Sequence, residues 1–282
     1  KTWDYIYQKQ LKASSDEHSL ILADPPDATR ESRSIMLQIL YETFDVPSLY
    51  FVSQPILSLH ACGRTTGILF DSGYGGTNIN AFYEGYSIDH VAKKLDFSGV
   101  EMTQVMAHFI REKYNEGNIS QHTINTIKEK YSCVALDYEE MMRNKDSESC
   151  ENYELPDGQI ISLGAKEIYS VGESLFHPEL MIGGNDSFGV HDSLCQVIRE
   201  LDIDIRRDMC SNIVLAGGNT FLPGFSDRLG KELRKNVPGN CEIKICAPPR
   251  RDISVWLGGS ILGSLTCTSF LISKKEFAEG GE

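Results

Sequence analysis

The stretch Gly63-Arg64-Thr65-Thr66-Gly67-Ile68-Leu69-Phe70-Asp71-Ser72-Gly73-Tyr74-Gly75-Gly76-Thr77-Asn78 constrains this chain more than any other. Ile68, Leu69 and Phe70 form a short apolar run between glycines, the pattern of a buried strand. The run ends on Asp71, and Gly73, Gly75 and Gly76 follow. A carboxylate at a strand end next to glycines suits a metal-bound phosphate: the glycines let backbone N–H groups come close, and the carboxylate holds the cation directly or through water. A glycine-rich hairpin with an exposed Asp fits the same spacing, so both readings stand on this stretch alone.

Asn212-Ile213-Val214-Leu215-Ala216-Gly217-Gly218-Asn219-Thr220 repeats the plan of an apolar strand, small residues and a glycine turn. Two such units suggest two similar half-domains facing each other across a cleft. Ligands favour the C-terminal ends of strands in α/β sheets, so a nucleotide between the two turns becomes the expectation.

The rest of the composition narrows the class. With 282 residues, 41% of them hydrophobic, the chain can bury a large core and divide into more than one domain or subdomain. A net charge of −13 argues against general affinity for nucleic acid. No apolar run reaches the length of a membrane span, and no signal-peptide pattern opens the chain. The first residue is Lys1, which suggests a piece of a longer product. Eight cysteines without a CxxC pair read as free thiols in a reducing cytoplasm.

Along the chain, an amphipathic segment around Trp3, Ile6 and Leu11 precedes a strand at Ser19–Ala23. Met36, Ile39, Leu40 and Phe44 have helical spacing, Leu49–Val52 is a strand, and Gln54 sits just before a helix at Pro55–Ala61. Ile79, Ala81 and Tyr83 alternate as one arm of a hairpin, with Tyr86 and Ile88 on the other. Helices follow around Met102–Ile110 and from about Thr123 to Leu136. Residues 144–151 read as an acidic surface loop, and Tyr153–Ile161 as a hairpin with a Pro156-Asp157-Gly158 turn. A helix with Leu194, Val197, Ile198 and Leu201 leads to the Asn212 strand. Then come a helix opened by Pro223-Gly224, a strand at Cys241–Cys246, and a helix with Trp256, Ile261, Leu262 and Leu265. Alternating strands and helices indicate an α/β architecture.

Several motifs in this order resemble actin and the actin-related proteins. They are Tyr41-Glu42-Thr43-Phe44, Leu57-Ser58-Leu59, Gly63 to Gly67, Asp71-Ser72-Gly73, Tyr83-Glu84-Gly85-Tyr86, Val134-Ala135-Leu136-Asp137, Leu155-Pro156-Asp157-Gly158, Ala247-Pro248-Pro249, Ser254-Val255-Trp256 and Gly258 to Leu262. The resemblance runs along nearly the whole chain. It implies an actin-like ATPase fold: two ribonuclease-H-like halves with inserted subdomains, and ATP or ADP with Mg²⁺ between them. The divisions it implies are 1–61 with 254–282 as an incomplete first half, 62–97 with 186–253 as the second, and 98–185 as an inserted small subdomain.

By the resemblance, Asp71, Gly73, Gly75 and Gly76 belong to the second phosphate loop, and Asp71 holds the cation through water. Gln54 helps order the attacking water. Gly99, Lys128 and Glu129 line the nucleoside side, with Gly217, Gly218, Asn219 and Phe221 near the α-phosphate and adenine. Hydrolysis then needs only in-line water, metal and backbone donors.

The departures from the family pattern all weaken turnover. The family's first phosphate loop and the segment carrying its small filament-gripping subdomain lie outside this sequence. Tyr74 stands where the family has a second Asp, Asn78 where it has a His, Asp252 where it has a Lys near adenine, and Asn125 where it has an Arg. The expectation is a slow or absent ATPase that cannot polymerise alone. The implied partners are actin-like protomers, and groove-binding proteins near His60, Ala61, Gly63, Thr65, Leu262 and Leu265. The implied setting is the cytoplasmic cytoskeleton, with the nucleus as an alternative. Two rival functions are a nucleotide-independent scaffold and a sugar-kinase-type phosphotransferase, the second lacking a substrate-domain motif.

Plainer readings accompany several residues. Lys128-Glu129-Lys130 on its own reads as a solvated helix face. His60, His177 and His191 are single histidines without metal-ligand spacing. Leu180-Met181-Ile182-Gly183 is either a buried turn or the apolar loop that the family uses in filament contacts.

Overall fold

The computed structural model describes residues 1–114, 119–143, 151–184, 187–237, 239, 241–265 and 270–280. The chain divides into two compact units, residues 1–63 with 253–282 and residues 64–252.

The first unit is built on a small sheet. Strands Leu20–Asp24 and Ser48–Ser53 pair in parallel, Leu20 opposite Leu49, and Ile272–Ser273 adds antiparallel to Ser48–Ser53. Thr29 caps the helix Arg30–Gln38 by accepting the Ser32 N–H at 3.1 Å, one of the four donors a helix start leaves unpaired. This helix runs on into a π-helical turn, Ile39–Thr43, which buries Leu40 and Tyr41. The Tyr41 hydroxyl donates to the Ile272 carbonyl at 2.6 Å and so satisfies its polar end inside the core. The opening helical stretch is anchored by buried Tyr7, whose ring lies 5.8 Å from that of Phe44; Leu11, expected on its apolar face, is exposed.

Gln54 begins the helix Gln54–Ala61, one residue earlier than the spacing suggested, because Pro55 is tolerated in a first turn that needs no N–H from it. This helix packs against Ser254–Ser264. A Cβ on Gly258 would lie 1.9 Å from the Leu57 carbonyl oxygen, so only glycine permits so close an approach.

The second unit holds the larger sheet. Gly67–Ser72 is its centre, flanked by Ile213–Ala216 in parallel and by Thr77–Tyr83 antiparallel. Ile245–Cys246 extends the parallel side; Tyr86–Ser87 and Lys93–Leu95 both pair with Thr77–Tyr83. Ile68, Leu69 and Phe70 are all buried, which is why the run is continuously apolar and not alternating. Helix Gly99–Tyr114 buries Met102, Val105, Met106 and Ile110, spaced three and four apart along one face. Phe225, at the start of helix Phe225–Asn236, lies 5.7 Å from both the Phe70 and Phe176 rings.

Several expectations are corrected. The two glycine turns do not mark two half-domains: their strands are neighbours in one sheet of one unit. A helix over Ile203–Cys210 intervenes before the Asn212 strand; half of its residues are charged and it fully buries only Met209 and Cys210. The expected Cys241–Cys246 strand contracts to Ile245–Cys246, and the helix expected to reach Leu136 spans Gln121–Tyr131. The hairpin around Pro156-Asp157-Gly158 forms from Glu151–Glu154 and Ile160–Leu163. The polar stretch 144–150 lies outside the described residues. The Leu180–Gly183 loop divides, with Met181 buried and Leu180 and Ile182 exposed.

Candidate functional site

Two turns leave the larger sheet side by side. Asp71 and Ala216 are register partners on adjacent parallel strands, so the turns after them begin at the same level, at the C-terminal ends of both strands. Gly217 makes the proximity possible. Its φ is +83°, and a Cβ there would lie 2.3 Å from the Ser72 carbonyl oxygen and 2.5 Å from Asp71 Oδ1.

Asn219 then joins the turns. Its Nδ2 donates to Ser72 Oγ at 3.0 Å and to the Gly73 carbonyl at 2.8 Å. The Gly73 N–H donates to Gly76 O at 2.9 Å, and Gly73 O also accepts the Gly99 N–H at 3.0 Å. Gly73, Gly76, Gly99, Gly217 and Asn219 are thus brought together through the chain's own hydrogen bonds. Gly75 is exposed at the tip of its turn.

Asp71 is only partly buried, yet burial pushes its carboxyl above the usual carboxylate range, with no neighbouring cation offsetting the effect. Asn78 is its cross-strand partner. Among the described residues no cluster of three or more His, Cys, Asp or Glu side chains could hold a metal ion. A cation here would have to keep its own water or take ligand oxygens, with Asp71 as the nearby carboxylate.

Lys128 reverses the plain reading of its segment. It lies on the face of its helix shared with Ile124 and Ile127 and is only 3% exposed. Its ammonium donates to Gly99 O and Thr103 Oγ1, both at 3.0 Å, and stands 5.6 Å from the centre of the Tyr74 ring. These partners are neutral. Burial draws the Lys128 pKa down to about 8, a little opposed by Glu129. The Glu129 carboxylate accepts from Asn125 Nδ2 at 2.6 Å.

Lys128, Glu129, Gly218, Asn219 and Phe221 line one cavity of about 560 Å³. Tyr74, Met102, Leu222, Pro249, Arg250 and Asp252 complete it. Asp71 and the glycines at 73, 75, 76, 99 and 217 are not in its wall, although Gly217 and Asn219 connect several of them to it. Gln54 belongs to the first unit, as do Gly63, Leu262 and Leu265; Thr65 belongs to the second. Asp252 does not stand as a bare repulsive charge, because Arg250 Nε lies 3.5 Å from its Oδ1.

The family model for actin matches this chain over residues 1–121 and 113–282, which together span its whole length. The chain belongs to the actin family. Its mixed α/β architecture is an actin-like ATPase fold. Among the described residues, no helix of this actin-family chain is long and apolar enough to cross a membrane.

Arg251 escaped the sequence reading. Its guanidinium sits 3.8 Å from the centre of the Phe221 ring, with Nε donating to Thr220 Oγ1 at 2.8 Å and Nη2 to Thr220 O at 2.9 Å. The Gly217 N–H in turn donates to Arg251 O at 3.0 Å. Arg251 therefore braces the second turn from behind. The signal that could have found it is the pair Arg250-Arg251 directly after Pro248-Pro249, a stiff segment carrying two cations.

Proposed function

We propose that this actin-family chain binds an adenine nucleotide in the 560 Å³ cavity of its second unit and takes part in filament assembly or capping in the cytoplasmic cytoskeleton. The observation that carries the reading is Lys128, a desolvated ammonium whose hydrogen-bond partners are both neutral, at the wall of a cavity also lined by Tyr74 of one glycine turn and Gly218 and Asn219 of the other. Such a cation gains most from an anionic or electron-rich ligand. Lys128 and Arg250 would supply positive charge to the ligand, and Phe221 and Tyr74 aromatic faces to a base. Asp71 would hold Mg²⁺ through the ion's water, and the metal would neutralise phosphate charge during hydrolysis.

Hydrolysis is slow in this reading. Tyr74 and Asn78 place an aromatic ring and a neutral amide where phosphoryl transfer benefits from carboxylate or imidazole, and one lost preorganised group can cost roughly 10²–10³ in rate. Partner contact falls to exposed apolar residues: Leu180 and Ile182 in the second unit, and Leu265 in the first. Actin-like protomers are the class of partner these surfaces suit, with groove-binding proteins near Gly63 and Leu262.

Calorimetric titration with ATP, with and without Mg²⁺, tests the nucleotide reading. The expected result is magnesium-dependent binding that Asp71→Ala weakens and makes magnesium-independent. Identical magnesium-dependent affinities in both proteins would remove Asp71 from the site.

A second reading, a nucleotide-independent scaffold, is favoured by one observation. Asn219 spends its amide on Ser72 and Gly73, so the two turns hold each other without a ligand. The absence of any heat with ATP in the same titration would select it.

A further inference from the structure

Helix Val190–Glu200 begins beside a histidine that the nucleotide site does not use. His191 is its second residue; Gly189 stands at the N-cap without a capping side chain, and Asp192 is the acid of the first turn. The helix start is docked on a neighbouring segment. The Val190 N–H donates to the Leu175 carbonyl at 3.0 Å, and the His191 ring lies 5.8 Å from that of Phe176. The His191 side chain is mostly buried. Its Nδ1 is shielded from solvent and has no hydrogen-bond partner among the described residues, while Nε2 stands 3.5 Å from Asp192 Oδ2. A neutral ring with its proton on Nε2 fits this setting. A second proton would make Nδ1 a buried donor without an acceptor.

A cavity of about 600 Å³ adjoins the ring, walled by the end of helix Ala165–Glu173, the Pro178–Leu180 turn and helix Phe225–Asn236. From the first of these sides His177 faces His191, with ring centres 6.3 Å apart. His177 is held by Glu179, 2.9 Å from its Nδ1, and by Glu173, 3.5 Å from its Nε2. Helix Phe225–Asn236 contributes Arg228, Lys231, Glu232 and Lys235, and the 136–139 stretch contributes Asp137 and Glu139. These carboxylates are engaged: Glu173 and Glu232 hold Arg228, Glu232 also holds Lys235, Asp137 lies 3.4 Å from Lys231, and Glu139 pairs with Arg143. A proton on His191 therefore meets Arg228, His177 and the positive end of its own helix. Part-exposed Asp192 is its one ion-pair partner among the described residues.

We propose that His191 is an acid-sensitive latch: protonation of its ring releases the start of helix Val190–Glu200 from Leu175 and Phe176 and widens the cavity beside Arg228. In the released form Nδ1–H reaches water and the two histidines move apart. Burial, only partly opposed by Asp192 and Glu232, holds the docked ring below its ordinary pKa. A released ring titrates near the ordinary value of about 6.5. Below that pH the released form binds more protons, so each unit of acidification, down to the docked value, favours release by up to about tenfold. Glu173 cannot supply this loss. Burial raises its carboxyl, so proton uptake there favours the folded form.

Amide hydrogen exchange on the whole chain from about pH 7.5 to 5.5, corrected for intrinsic rates, tests the latch. Protection of the Val190 N–H, and of the Ser193 N–H that donates to Gly189 O, should fall below about pH 6.5 by up to tenfold per unit. The amides of strand Ile213–Ala216 should keep theirs. His191→Gln, polar but unable to take the charge, should abolish the fall, and His177→Gln should leave it in place. In the wild-type chain the His191 ring, followed by NMR, should titrate below about 6.5 and share its midpoint with the loss of protection. Protection that does not change with pH overturns the proposal, as does a fall that persists in His191→Gln or vanishes in His177→Gln. So does a fall shared by Ile213–Ala216, or a His191 midpoint at or above the ordinary value.

Discussion

Arg228 and Lys128 are both buried cations in the second unit, and the fold treats them in opposite ways. Arg228 is completely matched. Its Nη1 and Nη2 each donate to Glu173 at 3.0 Å, Nε donates to Glu232 at 2.9 Å, and Nη1 also reaches the Ala135 carbonyl at 2.9 Å. The Phe176 ring covers it at 5.0 Å. Lys128 has two neutral oxygens and the edge of a cavity. A buried charge is tolerated when it is paired and hydrogen-bonded, and is costly otherwise. The difference separates a charge that holds the fold from one kept at a cost beside a cavity, where a ligand could repay it.

The largest effect that could break this comparison is at the matched pair. Glu173→Ala strips Arg228 of its bidentate partner deep in the unit and should cost about 3–5 kcal/mol. Urea unfolding measures it. A loss near zero would mean that Arg228 is rehydrated through the adjoining surface and that the two cations are not so different. Burial raises the Glu173 carboxyl above its ordinary value even with Arg228 beside it, so desolvation is the dominant influence on this acid too.

Lys128→Met sharpens the contrast from the other side. The Lys128 pKa is depressed from 10.5 to about 8 in the folded chain. Between those values the unfolded chain binds more protons, so stability rises with pH across that window, and the full cost of the buried charge is present below pH 8. Methionine removes the charge but keeps the bulk. The variant should be more stable at pH 7 by at most about 3 kcal/mol and should lose the rise toward alkaline pH. Denaturant midpoints across the pH range check both. Destabilisation at pH 7 would make Lys128 a structural cation like Arg228.

The smallest effect concerns Asp252, part-exposed at the cavity wall. Asp252→Lys should tighten ATP binding by less than tenfold, since an exposed charge is worth about 0.2–1 kcal/mol, and the gain should fade with added salt. A salt-independent gain would mean a direct contact in place of a screened field.

The local pieces of this fold were legible in the sequence because they are local. The apolar run before Asp71, the glycines after it and the Pro156-Asp157-Gly158 turn all announce themselves within a few residues. The pairing of the two glycine turns was not legible. It depends on Asp71 and Ala216 becoming register partners, and a repeat of motif says nothing about whether two copies are neighbours or opposites. Helix Ile203–Cys210 was missed for another reason: charged Asp204, Arg206, Arg207 and Asp208 make up half of it, and its apolar contact is limited to partly buried Ile205 and buried Met209 and Cys210. Lys128 could have been found. It follows Ile124 by four residues and Ile127 by one, which places it on the buried face, while Lys130 points to water. The brace formed by Arg251 against Phe221 and Thr220 needed coordinates, since some 30 residues separate these partners in sequence.

The most direct measurement for the central claim is the number of protons taken up when ATP binds, read by calorimetry in buffers of different ionisation heat between pH 8 and 9. In the free chain Lys128 titrates at about 8, so part of its population is neutral in this range. An anionic ligand beside it favours the charged form and raises its pKa. The account predicts proton uptake on binding, largest near the upper end of that range and abolished by Lys128→Met, which should also bind ATP more weakly. ATP binding with no proton uptake, or with the same uptake in Lys128→Met, would contradict it.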